Sequence, residues 1–200
     1  MSEITFRVSG IVLSLGASLL GIAIVVISLK PVMNQPFLPG VSLLMLLSAI
    51  MLLLTLPAIY ARQAHAAGWL GLVGHILLQT GVLLLVLLAA PSLLFPSLKL
   101  AVGENPVVFF LGIAFTLGLL LTGIATIQAN IFPRGAGILL LVAMAGFFFN
   151  FFVAEFLPPA AGQIGSAIFG VLLAVSLVWI GISLWVGTLG PVIGNIVSAP

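Results

Sequence analysis

The sequence predicts an all-α integral membrane protein, a six-transmembrane-helix bundle occupying residues 1–200 as a single polytopic domain. Three observations carry that expectation. The chain is 63% hydrophobic and only 4% charged, whereas soluble domains carry about 25% charged residues. Its apolar residues gather into segments of 21–24 residues, and about 20 helical residues cross a hydrocarbon core of roughly 30 Å. Its five basic and three acidic residues all fall in or beside the breaks between those segments. A charge at mid-membrane would cost at least ~2.5 kcal/mol.

The first segment, about 8–29, exceeds the 7–15 apolar residues of a secretory signal core and lacks a clear cleavage site, so a retained helix is expected. Gly10, Ser14, Ser18 and Gly21 fall along one side of it, a stripe suited to close helix contact. Lys30-Pro31 ends it, and Pro36 and Pro39 stiffen the following loop. The second segment, about 40–60, contains LLMLLSAIMLLLTLP, has almost no small-residue face and is expected to be the most lipid-exposed. Pro57 near its inner end is a site for a bend.

The third segment, about 67–90, sets Gly68, Gly71, His75 and Gln79 on one face. The loop PSLLFPSLKLAVGENP, 91–106, is half apolar and suits the outer membrane interface. The fourth segment, about 107–129, continues into Asn130 with Gly118, Thr122, Thr126 and Asn130 at strict fours. The fifth, about 136–156, aligns Ala143, Gly146, Asn150 and Ala154, with the phenylalanines of GFFFNFF pointing elsewhere. The sixth, about 164–186, carries Ser166, Gly170 and Ala174, and the tail to residue 200 is too short and too interrupted by Pro191 for a seventh span.

Three odd-numbered segments open with a basic residue or histidine three positions before glycine: Arg7 and Gly10, His65 and Gly68, Arg134 and Gly137. With AGWLGLV at 67–73 echoed by AGILLLV at 136–142, this suggests three pseudo-repeated helical hairpins in a parallel array. Arg7, Arg62 and Arg134 fall on the side of the N-terminus, against Lys30 and Lys99 opposite. The excess places the N- and C-termini in the cytoplasm of a plasma (inner) membrane protein. Tyr60, Trp69 and Trp185 at inner helix ends fit an aromatic belt there.

Much chemistry is excluded. The chain has no cysteine, so thiol catalysis, disulfides and thiolate metal sites are absent. The three acids are Glu3, Glu104 and Glu155, so there is no aspartate for aspartyl proteolysis or Asp-rich metal motifs. Neither H-E-x-x-H nor a phosphate-binding G-x-x-x-x-G-K-[ST] occurs. Ser183 has no later histidine to act as its base. Five scattered basic residues make no nucleic-acid surface.

The candidate intramembrane polar site therefore consists of His75, Gln79, Thr122 and Asn150, with Glu155 as a candidate outer-entrance charge. Each reads first as structural: amides and imidazole bonded across helix interfaces, and a solvated carboxylate ahead of Pro158-Pro159. The functional alternative is a path for a small neutral or weakly polar solute. His75 reads last as the axial ligand of a tetrapyrrole; no metal ligand set is expected, and His65, in a loop, is ill placed to pair with it. The expected activity is non-catalytic: a structural or accessory subunit of a membrane assembly, whose partners are the lipid bilayer and other membrane-protein chains or copies of itself.

Overall fold

The computed structural model describes residues 2–33, 39–94, 106–149 and 159–187, and these are helical apart from short ends and one connection. Five elements follow in order: α1 (Glu3–Met33), α2 (Pro39–Leu94), α3 (Pro106–Ala129), α4 (Arg134–Phe148) and α5 (Pro159–Val186). Four of them, all but α4, have the length and hydropathy to cross a membrane, and α4 is a shorter apolar helix. The all-helical, membrane-type architecture expected from composition is present.

α2 merges the second and third expected segments. Its 56 residues would make a rod of about 84 Å at ~1.5 Å per residue. It folds back instead at Gly68, whose φ of 56° and ψ of −149° interrupt the helix. That conformation is essentially reserved for glycine. The arms 39–67 and 69–94 pack antiparallel, as shown by Gln79 Nε2 donating to Leu53 O at 3.5 Å and by the Tyr60 ring stacked on His75. Residues 61–66, expected as a loop, are helical, and one glycine makes the reversal.

Each helix packs on its chain neighbours, and α5 returns to α1, so the contacts close a cycle. Glycine sets the approach at every step. A Cβ on Gly10 would lie 2.5 Å from Gly181 O, and one on Gly21 would lie 2.7 Å from the Ala174 Cβ. On the other side of α1, Gly16 receives Met51. Gly74 and Gly118 join the second arm of α2 to α3, Gly123 and Gly137 join α3 to α4, and Gly146 receives the Phe169 ring of α5. Inside the cycle lies one continuous aliphatic and aromatic core, including Leu13, Leu52, Val82, Leu119, Leu140 and Ile180. Outside, large apolar side chains such as Leu54 and Trp69 stand exposed, the arrangement that suits a hydrocarbon solvent.

Three expectations are corrected. The second segment is not the most exposed: Ser48, Leu52, Leu56 and Ile59 are buried, because the small residue of that contact, Gly16, sits on α1. Asn130 does not extend the α3 seam; it leaves the helix at φ 52° and accepts a hydrogen bond from Arg134 Nε at 3.1 Å. A left-handed residue after a helix satisfies the chain reversal, and asparagine tolerates it better than most. Finally, Gly10, Gly68 and Gly137 do not share one role, since the first and third are packing contacts and Gly68 is a turn. Buried Phe132 anchors the α3–α4 connection into the core.

Candidate functional site

The second arm of α2 has two working faces about 100° apart. Gly74, Leu78 and Gly81 face α3, where Thr122, Gly118 and Phe115 meet them. His75 and Gln79 turn instead to the first arm. The His75 ring, half-buried, stacks on Tyr60 with ring centres 5.2 Å apart and planes 17° apart. Gln79, one turn later on the same face, sends its amide nitrogen to the Leu53 carbonyl across the hairpin. The two side chains thus hold the arms together, His75 by ring stacking and Gln79 by a hydrogen bond.

Thr122 belongs to the other face. Its backbone nitrogen lies 2.8 Å from where a Gly74 Cβ would stand, so it is one of the close-contact points of α3 on α2, beside Gly118 on Leu78. Its hydroxyl is buried without a hydrogen-bond partner, as are those of Thr116 and Thr126 and the Gln63 carbonyl oxygen. Helical threonines ordinarily bond the carbonyl three or four residues back, as Thr55 and Thr80 do here. Asn150 and Glu155 lie outside the described residues.

Spacing does not single out Gln63. It stands in what composition marks as a polar break, yet only 2% of its surface is exposed, because helix continues through it. Ser176 also escapes the sequence reading; it is fully buried and donates to Ala136 O at 2.7 Å, tying α5 to α4. It lies about 160° round α5 from Ala174, so the predicted stripe of Ser166, Gly170 and Ala174, which meets α1, does not point to it. Position alone assigns Tyr60 to the interface, and its stacking on His75 depends on the hairpin register.

At one end of the bundle the hairpin, α1 and α5 converge on Arg62. Its guanidinium donates to Gly187 O at 3.2 Å and lies over the Phe6 ring, 5.6 Å from its centre. A cation against the last carbonyls of a helix is favourable. On the exterior, a groove of about 540 Å³ runs between α1 and α5, lined by Ser18, Ile22, Val25, Val171, Val175 and Trp179 among others. Among the described residues no three His, Asp or Glu side chains gather to hold a metal ion. Comparison with protein-family models, curated proteins and solved structures yields no match for this chain.

Proposed function

We propose that this chain is a non-catalytic polytopic membrane protein that crosses the bilayer six times and serves as a structural or accessory subunit of a membrane assembly. The two arms of α2 supply two of those crossings, and the apolar segment that opens with α4 supplies the fifth. Arg7 and Arg62 beside the α1 and α5 ends favour a cytoplasmic position for both termini of a plasma (inner) membrane protein.

The observation that supports this reading best is where the polar groups of the helices are directed. Gln79 and Ser176 both reach backbone carbonyls of a neighbouring helix segment. Ser14, Thr55 and Thr80 bond their own preceding turn. The centre they surround is filled by apolar side chains. Such groups act as interhelical glue, worth about 0.6–2 kcal/mol each in a membrane. Extraction from native membranes in mild detergent is expected to recover the chain with a stoichiometric membrane partner or a second copy. A monodisperse, partner-free monomer would contradict the proposal.

A second reading, transport of a small neutral or weakly polar solute, is supported by the unpaired oxygens of Thr116, Thr122, Thr126 and Gln63. It would use His75, Gln79, Thr122 and Asn150 around a wet centre, with Glu155 at the outer mouth. Uptake lost in His75→Ala and Asn150→Leu variants that still fold would favour it over the accessory role.

A further inference from the structure

The groove between α1 and α5 is not simply a gap in an oily surface. Its floor is the close contact of Gly21 with Ala174, and its walls are β-branched or aromatic: Ile22 and Val25 on α1, Val171, Val175 and Trp179 on α5. At about 540 Å³ it falls within the ~300–1,000 Å³ of small-molecule sites. The α1 wall has a charged continuation. Arg7 precedes Val25 by eighteen residues, five full turns at ~3.6 residues each, so both side chains leave α1 in the same direction. Ile11 and Ser18 lie on the same stripe between them.

The depths agree with a lipid. α1, with 31 residues, is about 46 Å long at ~1.5 Å per residue, which matches a bilayer of ~40–45 Å with its headgroup layers. Arg7 stands four residues into the helix, about 6 Å from its end and so within the headgroup layer. Gly181 packs on Ser14, which puts Ile182, at the groove's lower end, near the level of Ser14. From there to Arg7 is about 10 Å along the helix axis. Glu3 lies one turn before Arg7, and the nearby Arg62 guanidinium is held on Gly187 O; of these two arginines it is Arg7 that lies on the groove's stripe of α1. Trp185 is exposed on α5 close by, at the depth where tryptophan favours the interface.

Resting on the reading that the chain spans a bilayer, we propose that this groove holds an acyl chain of an anionic glycerophospholipid whose phosphate is recognised by Arg7. The aliphatic walls take the hydrocarbon, and the arginine selects the headgroup charge.

The test uses the full chain in mild detergent, with phosphatidylglycerol or phosphatidylcholine added at equal mole fraction and bound lipid read by native mass spectrometry. Wild type is expected to retain one phosphatidylglycerol per chain, with a preference of about fivefold, the worth of one interfacial arginine on anionic lipid. Arg7→Gln should bring the two lipids to parity, Val175→Trp should fill the groove and remove both, and Arg62→Gln should leave the preference in place. Thermal melts confirm that each variant compared is folded. Equal retention of the two lipids by wild type, or an unchanged preference in Arg7→Gln, overturns the proposal. So does a dimer that Val175→Trp dissolves, which would make the groove a contact between copies. Recovery of the chain in the soluble fraction would instead overturn the membrane reading itself.

Discussion

The α1–α5 and α2–α3 contacts both bring backbones together at glycine, yet they handle their hydroxyls differently. On α1, Ser14 and Ser18 donate to Gly10 O and Ser14 O one turn back, and Gly181 of α5 packs directly on the Ser14 hydroxyl. On α3, Thr116, Thr122 and Thr126 are buried with no hydrogen-bond partner for their hydroxyls, although Gly74 and Gly118 make an equally close contact. The comparison separates two roles that a single small-and-polar stripe merges. Absence of a side chain sets how near two helices come. A hydroxyl adds stability only where a carbonyl receives it.

The largest effect is expected from adding a methyl group at the contact points. A Cβ at Gly118 would lie 2.5 Å from Leu78 N and 2.7 Å from its Cα, and one at Gly10 would lie 3.0 Å from Trp185 N. These obstacles are backbone and cannot rotate away. Gly118→Ala and Gly10→Ala should each destabilise by about 1–3 kcal/mol, measured by reversible unfolding in mixed micelles. Equal losses would show the two seams to be of one kind; a silent variant would break the comparison on that side.

Next comes Gly68→Ala. A Cβ at this position would meet nothing within 4 Å, so crowding plays no part, and the loss comes from forcing alanine into the turn conformation. A decrease of roughly 1–3 kcal/mol is expected, with the helical content retained. An unchanged stability would mean that the reversal of α2 does not depend on this residue.

The smallest effects sharpen the hydroxyl contrast. Ser176→Ala removes a 2.7 Å bond to Ala136 O and should lower stability by about 0.6–2 kcal/mol. Thr126→Val keeps the shape and removes an oxygen that has no partner, so it should be neutral or slightly stabilising. Were Thr126→Val the more damaging of the two, the α3 hydroxyls would have a role that the solute-path reading supplies.

Much of this architecture is legible in the residues, for physical reasons. A chain with so few charges leaves only hydrocarbon as its solvent, and the stripes on the first and last helices do meet one another, Gly21 on Ala174. The His75 and Gln79 face is visible as well, but its partner is not. Spacing shows that two residues share a face without showing which neighbour the face meets. Here a rotation of about 100° sends Gly74 to α3 and His75 to the first arm. Gln63 and the helical run to Ala67 stay hidden because polar residues ordinarily mark a break, whereas Gly68 makes the turn alone.

The central claim is that the bundle encloses a dry apolar centre, its hydrogen-bonded hydroxyls and amides resting on helix carbonyls, with lipid outside. Because the chain has no cysteine, single-cysteine variants read this directly through a water-soluble maleimide applied to membranes opened on both sides. The account predicts prompt labelling at His65→Cys near the hairpin turn and none at Ala17→Cys, Leu119→Cys or Ala143→Cys in the core. Labelling of those three core positions at the rate of His65→Cys would contradict it.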